Sequence, residues 1–201
     1  MKIKYLSFIF IACCLVGCSK SNQALSLNAS SELNDEYHSI DELKSESDLI
    51  VEGRVKDQKV IVYEDLPFTV SEFHITNDYE GNISKGDVIK VIETGGLYEP
   101  ELEEGISGEK IEMRLNGIKV MDNKNDYILF LKTFNGPQLT NKGYIPLGAY
   151  QGKFKIVEHN IKNLNNLESD NQVIEQQADE EYKIKDVPVD KEDFLSIIMN
   201  N

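Results

Sequence analysis

Histidines and nucleophilic side chains are the residues of this sequence with the greatest capacity for catalysis or metal binding. The three histidines, His38, His74 and His159, have no second histidine at i+2 or i+4, the spacings that place two ligands on one face of a strand or helix. A Gly-x-Ser-x-Gly nucleophile motif is also missing. The sequence therefore predicts no catalytic residue, no metal and no cofactor, and a composite metal site from distant positions is the alternative.

Two stretches contain residue types that can bind ions. One is the glycine pair Gly95-Gly96, and the other is the acidic stretch from Glu93 to Glu104. Gly95-Gly96 lacks the Lys-Ser/Thr pair and the helix that follow a phosphate-binding loop, so it predicts a turn or bulge. The acidic stretch from Glu93 to Glu104 offers the carboxylate oxygens that Ca²⁺ prefers. We favour a solvated charge run in a surface loop, with calcium binding as the alternative.

Aromatic and amide side chains gather towards the end of the strand-forming region. Tyr144, Tyr150 and Gln151 lie among glycine and proline residues. Exposed tyrosines beside an amide can contact the faces of peptides or sugars. These three residues are candidates for ligand contact, whereas burial of the tyrosines in the core is the alternative and the commoner outcome.

Length and charge limit the function classes. The chain has 201 residues, with 21 Lys and Arg against 35 Asp and Glu, for a net charge of -14. The length suits one domain with tails. The charge argues against nucleic-acid binding, because such proteins carry a basic face.

Helix signals lie at both ends of the folded region. Ser39 and Glu42 have the spacing of a capping box. Asp190 is a suitable N-cap for a C-terminal helix over 190–201. The sequence thus predicts a short N-terminal helix and a C-terminal helix that docks on the rest of the domain.

Period-two hydrophobic patterns between these helices predict strands. Tyr127–Leu131 is a continuous apolar run, which is typical of a central strand buried on both faces. A turn is predicted at Leu66-Pro67 and a long surface loop over 97–108. A first strand begins over 49–55, and 60–63 either continues or restarts it. The further predicted strands cover 68–75, 88–92, 111–115, 127–131, 143–146 and 152–157.

This arrangement predicts a mainly β fold, a small antiparallel barrel or sandwich flanked by the two helices. The β domain is expected over 35–158. The stretch 159–189 is rich in Asn, Gln, Glu and Asp and is predicted to be a polar, flexible segment.

The N-terminus carries a targeting signal. A basic start precedes an apolar run over 5–16, which is typical of a secretory signal peptide and too short to span a bilayer comfortably. The sequence Leu15-Val16-Gly17-Cys18 resembles the lipobox of bacterial lipoproteins. The resemblance implies a signal peptide over 1–17, cleavage before Cys18, and diacylglyceryl and N-acyl groups such as palmitate on that cysteine.

Lipidation would place the protein at the cell membrane, on the extracytoplasmic face. Cys13 and Cys14 would leave with the signal peptide, so the mature chain would have no thiol and no disulfide. Loss of Lys2 and Lys4 would lower the basic residues from 21 to 19 and the net charge from -14 to -16. Residues 18–34 are predicted to be a flexible tether.

Several short motifs together resemble an uncharacterised family of exported lipoproteins of Gram-positive bacteria, which is itself similar to OB barrels and netrin-like domains. The likeness covers about residues 37–158. It implies an OB-like barrel and no catalytic residue. Netrin-like protease inhibitors use a free N-terminal cysteine, which an acylated Cys18 would not supply. The motifs are Ser47-Asp48-Leu49-Ile50-Val51-Glu52-Gly53-Arg54-Val55, Thr69-x3-Phe73-x-Ile75, Tyr79-Glu80-Gly81-Asn82, Gly86-Asp87-x-Ile89-x-Val91, Thr94-Gly95-Gly96 and Tyr127-x-Leu129-Phe130-Leu131.

The favoured function is therefore a membrane-anchored, non-enzymatic module that binds an envelope protein, a peptide or a wall ligand. The alternative is a hydrolase or metal-dependent enzyme that uses Asp, Glu and His from separate strands. A cleft lined by tyrosine and apolar residues would favour binding, whereas convergence of His74, His159 and carboxylates would favour catalysis. A featureless convex surface would favour a structural or immunity-type protein.

Overall fold

The structure, a computed structural model, describes residues 24–30, 35–80, 82–103, 106–136, 142–163 and 190–199, and only the backbone of 101–103 and 106–107. Strands hold 54% of the described residues, so the fold is mainly β, as predicted. The predicted signal peptide, Cys18 and most of the predicted flexible segment 159–189 lie outside the described residues.

Twelve strands and two helices make up the described part of the chain. The helices are α1 (Ile40–Glu46) and α2 (Lys191–Met199). The strands are β1 (Leu25–Ala29), β2 (Leu49–Tyr63), β3 (Leu66–Asp78), β4 (Val88–Thr94), β5 (Gly96–Tyr98), β6 (Glu101–Glu103), β7 (Ile106–Ser107), β8 (Ile111–Leu115), β9 (Asp126–Phe134), β10 (Gly143–Pro146), β11 (Lys153–Val157) and β12 (Asn160–Asn163).

Five strands close into a barrel, which confirms the predicted small β-barrel flanked by two helices. The strand β2 pairs antiparallel with β3 and β9, and β3 pairs antiparallel with β4. The barrel closes through β10, which pairs antiparallel with β9 and parallel with β4 at Tyr144 and Val91. The pair β10–β4 is therefore parallel, whereas the other pairs of barrel strands are antiparallel. Outside the barrel, β11 and β12 extend the sheet beyond β9.

The strand β9 separates two hydrophobic cores, because its alternate side chains point to opposite faces. Tyr127, Leu129 and Leu131 pack in the barrel interior. Ile128 and Phe130 pack outside the barrel, against both helices and β11. All five side chains are at most 2% exposed, so the predicted burial of this strand on both faces is confirmed.

Both helices pack on the outer core, and both have the predicted N-caps. Ser39 Oγ accepts a hydrogen bond from the Glu42 backbone N–H at 3.1 Å. Asp190 Oδ1 accepts one from the Glu192 N–H at 2.7 Å. Such caps satisfy backbone donors that a helix leaves free at its N-terminus. The docking of the C-terminal helix, as predicted, brings Phe194 into the outer core.

The first hairpin differs from the sequence prediction in the position of its turn. Of the two alternatives for 60–63, the structure shows continuation: 49–63 is one strand, β2, with register shifts next to Gly53 and Val55. The turn lies at Glu64-Asp65, not at Leu66-Pro67. Both turn residues have positive φ, and a two-residue loop of this kind matches the twist of the flanking strands. Neither turn residue is glycine, the residue that usually indicates a positive φ. The sequence analysis therefore placed the turn at the nearby Pro67.

Three predicted irregular segments contain strands. At the start of the predicted flexible segment 159–189, β12 pairs antiparallel with β11. Within the predicted tether 18–34, β1 pairs parallel with β8. Within the predicted loop 97–108, β5 also pairs with β8, and β6 pairs with β7. For these residues the assignments were wrong, because composition marked the segments as polar. In addition, β1 pairs with β8, which lies more than eighty residues further along the chain. The resulting three-stranded sheet, in the order β1-β8-β5, packs beside the barrel.

The aromatic contacts of α2 predict a strong effect of one substitution. Phe194 is fully buried, with ring centroids 5.0 Å from Phe154 and 6.4 Å from Phe130. We expect Phe194→Ala to lower the free energy of unfolding by about 3–5 kcal/mol, through lost apolar burial and the cavity left behind. Urea denaturation of the purified full chain would measure it. Met199→Ala, at a 61% exposed position of the same helix, is the control and should change it by less than about 0.5 kcal/mol.

Candidate functional site

A groove of about 550 Å³ lies at one end of the barrel. It extends from the β2–β3 turn to the end of β9 and the start of the turn after β10, and the three-stranded sheet forms its opposite wall. We call it the barrel-end groove. Its apolar lining includes Leu66, Phe68, Leu115, Phe134, Ile145 and Leu147.

The position of this groove follows from the barrel's connectivity. The neighbouring barrel strands β3 and β4 contribute Phe68 and Ile92 to the groove. Leu66 follows the turn between β2 and β3, and Phe134 is the last residue of β9.

The Gly95-Gly96 pair builds the far wall. Both residues have positive φ, and they bend the chain out of the barrel strand β4 into β5. A Cβ on Gly96 would clash with the Thr69 hydroxyl, which donates a 2.7 Å hydrogen bond to the Gly95 carbonyl. The prediction of a turn or bulge is thus confirmed. Because glycine permits both the bend and the close approach, β5 and β8 can lie next to the barrel.

A buried ion pair lies behind the groove. Glu93, in β4, lines the groove, and its carboxylate is 2.6 Å from the ammonium of Lys153, in β11. Both side chains are at most 3% exposed. The carboxylate also accepts the Met121 backbone N–H, and the ammonium also donates to the Lys119 carbonyl at 2.7 Å. The pair therefore attaches the segment before β9 to both strands.

A second carboxylate joins the C-terminal helix to the barrel. Glu52, in β2, accepts a 2.7 Å hydrogen bond from Lys191 of α2 and further bonds from Tyr79 and Asn77. Burial acts to raise the pKa of the Glu52 carboxyl, but these three donors outweigh it, so the pKa lies below its usual value. Burial and the neighbouring carboxylate together raise the pKa of the Tyr79 hydroxyl.

The structure uses the predicted ligand-contact residues in different ways. Gln151 donates to the Tyr37 carbonyl at 3.1 Å and accepts the Tyr37 N–H at 3.0 Å, so both ends of its amide hold the chain before α1. The Tyr150 hydroxyl accepts a hydrogen bond from Asn116. Tyr144 packs against the barrel core and lines a shallower cavity of about 460 Å³ beside β4. The structure therefore does not bring these three side chains together at one cavity.

The histidines and carboxylates do not converge among the described residues. His74 lies in β3 opposite Arg54 and Val88, whereas His159 lies in the turn between β11 and β12. The described residues contain no group of three His, Cys, Asp or Glu side chains placed to hold a metal ion. In the acidic stretch, Glu93 is paired with Lys153 and Glu99 lies 3.4 Å from Lys110.

A further cavity of about 650 Å³ separates the barrel from the three-stranded sheet. Charged and polar groups are prominent in it, and several are engaged with one another. Glu112 pairs with Arg114 at 2.7 Å and with Lys119 at 3.6 Å. Gln58 donates to Ser71 and to the Met121 carbonyl. The barrel-end groove has the more apolar lining of the two and is therefore the stronger candidate for ligand binding.

Comparison with protein-family models, curated proteins and solved structures finds no match to this chain. In the described part of the chain, no helix has the length and apolar composition needed to cross a membrane.

Sequence reasoning missed the residues that line the groove. Phe68, in β3, and Phe134, at the end of β9, are far apart in the sequence and are both half-buried in the groove wall. In the sequence, each is an apolar residue near the end of a predicted strand. That position was the available indication of a role in a ligand site. Only barrel closure places them on one wall.

Removal of one partner of the buried ion pair should be strongly destabilising. Lys153→Met would leave the Glu93 carboxylate buried beside an uncharged side chain, and we expect the free energy of unfolding to fall by about 3–5 kcal/mol. The double variant Glu93→Leu with Lys153→Met removes both charges and should recover most of that loss. Urea denaturation measures both. Equal destabilisation in the single and double variants would contradict the proposed charge coupling.

Proposed function

We propose that this protein is a non-enzymatic binding module, anchored by lipid on Cys18 to the extracytoplasmic face of the cell membrane, which takes its ligand in the barrel-end groove. The observation that carries the binding function is the groove itself. Its volume of about 550 Å³ falls within the range of about 300–1,000 Å³ typical of ligand sites, which are mostly apolar with a few polar groups.

The chemistry of the groove favours binding over hydrolysis. Its walls are apolar or aromatic, apart from a few polar groups that include Asp35, Lys132 and Glu93. Glu93 already accepts the Met121 backbone N–H and pairs with Lys153. A general acid or base needs a carboxyl or imidazole within reach of the reacting group, and His74 and His159 are not among the groove residues.

The shape of the groove supports a ligand with an apolar portion. Phe68, Phe134 and Ile145 are half-buried in its walls, so a bound apolar group would remove their remaining exposed surface from water. An envelope protein, a peptide or the apolar part of a wall component could supply such a group. The polar residues at the margin would orient it.

The lipid anchor would hold this groove close to the membrane. Because β1 begins at Leu25, the link from Cys18 would consist of residues 19–24. It would therefore be much shorter than the predicted tether, 18–34. An extended chain spans roughly 3.5 Å per residue, so the anchor would lie within about 25 Å of β1. This confinement raises the effective concentration of the module towards envelope partners.

Cys18→Ala tests the anchor. We expect the unaltered chain to incorporate labelled palmitate and to partition into the detergent phase, because two or more acyl chains give stable membrane attachment. Cys18→Ala should lose the label and accumulate as unprocessed precursor. Cys14→Ala, within the predicted signal peptide, is the matched control and should behave as the unaltered chain. Equal labelling of the Cys18→Ala variant would refute lipidation at this residue.

Site-specific photo-crosslinking in intact cells tests the groove. Benzoylphenylalanine would replace Leu66, which is 46% exposed and lines the groove, or Val62, which is 52% exposed in the same hairpin and does not line it. We expect a discrete adduct from position 66 that is absent at position 62, because a benzophenone reacts only with groups in contact. Mass spectrometry of the adduct would give the class of ligand. Identical adducts from both positions, or none from position 66, would contradict ligand binding in the groove.

A further inference from the structure

The strand β1 is the outermost strand of the three-stranded sheet, and one side of its backbone is unpaired among the described residues. Leu25 donates its N–H to the Lys110 carbonyl, and the Ala29 carbonyl accepts the Asn116 N–H. In a strand, the backbone groups of successive residues point to opposite sides. The N–H and C=O groups of Ser26 and Asn28 therefore point away from β8, along a free edge.

The side chains of β1 are unusually apolar for an exposed edge. Leu25 and Leu27 are 63% and 47% exposed. Their register partners, Ile111 and Met113, place them on the same face of the sheet as Ala29. Ala29 and Met113 line the barrel-end groove. An apolar strip thus runs along one face of the edge strand and continues into the groove.

We propose that the free edge of β1 and the adjoining groove bind an extended peptide segment that has apolar side chains at alternate positions. The proposal rests on the binding function of the groove and names its ligand class. The peptide would hydrogen-bond to the outward groups of Ser26 and Asn28 as an added strand. Every second side chain would cover Leu25 and Leu27 and then enter the groove.

Two observations favour a peptide over a small apolar molecule. A small molecule would fill the groove but leave the backbone donors and acceptors of β1 unused, whereas an extended chain satisfies both. The net charge of the protein is -14, so basic residues flanking the apolar positions would increase the rate of association at low salt. The ligand class is therefore an extended, alternately apolar peptide with basic flanks.

The test uses the full lipidated chain in zwitterionic nanodiscs and a fluorescein-labelled peptide in which leucine alternates with threonine between pairs of lysines. Fluorescence anisotropy, corrected with empty nanodiscs, should give saturable binding. Ser26→Pro removes an outward N–H and leaves the bonds of Leu25 and Ala29 to their partners in place, because proline is tolerated on an edge strand. We expect this variant to bind at least about tenfold more weakly, whereas the matched control Ser26→Ala should bind within about twofold.

A modified peptide makes the result independent of how Ser26→Pro folds. N-methylation of alternate residues removes backbone donors from the peptide but keeps its side chains, so it should abolish binding to the unaltered protein. Equal binding of the methylated and unmethylated peptides would overturn strand addition at β1. Equal binding to Ser26→Pro and Ser26→Ala would overturn it as well.

Two further outcomes separate this proposal from the binding function on which it rests. An adduct at position 66 in cells, without saturable binding of the probe peptide, would retain the groove as a binding site and reject the peptide class. The second outcome comes from sedimentation analysis, which compares the oligomeric state of the unaltered protein with that of Ser26→Pro. A dimer that Ser26→Pro dissociates would show that a second copy of this chain covers the edge, and would overturn the proposal.

Discussion

The burial of β9 on both faces is the constraint on which the rest of the structure depends. One set of its side chains fills the barrel, and the other set forms the floor on which α1, α2 and β11 pack. A strand with a polar face could supply only one of these cores. Because β9 also pairs with β2, β10 and β11, the barrel closure and the helix packing share one element. The groove lies at its end, where Lys132 and Phe134 reach the surface.

Buried charges have a structural role in this domain. Glu93 and Glu52 each lie at a junction between a barrel strand and a segment that comes from elsewhere in the chain. Hydrophobic contact would hold such segments without defining their position, whereas a charged hydrogen bond with fixed partners has one geometry. Each carboxylate accepts a hydrogen bond from a lysine. Glu93 also accepts the Met121 backbone N–H, and Glu52 also accepts the Tyr79 and Asn77 side chains.

The three-stranded sheet β1-β8-β5 places a free strand edge next to the groove. Closure pairs the five barrel strands with one another, so among the described residues the free strand edges lie outside the barrel, including those at β12 and in the sheet β1-β8-β5. The sheet β1-β8-β5 adds an edge beside the groove, and Gly95 and Gly96 make this possible by turning the chain out of the barrel. In the proposed complex, the groove would contact the side chains of the peptide and the edge would hydrogen-bond to its backbone.

Much of the fold could be predicted because it depends on local patterns. The period-two alternation around Val51 and Phe73, the continuous apolar run of β9 and the caps at Ser39 and Asp190 each report the local structure of a few neighbouring residues. The sequence by itself also indicated the bend at Gly95-Gly96, because only glycine adopts such a backbone at no steric cost.

The candidate site was decided by tertiary structure alone. Phe68, Leu115 and Phe134 are far apart in the chain, and each lies near the end of a strand with no distinguishing motif. The strand β1 has a composition typical of a linker, and its partner lies more than eighty residues further along the chain. Gln151 and Tyr150, which the sequence offered as candidates for ligand contact, hydrogen-bond to neighbouring segments. Local sequence determines which segments form strands and helices, whereas the pairing of distant strands determines which side chains share a surface, because that pairing depends on the packing of the whole domain.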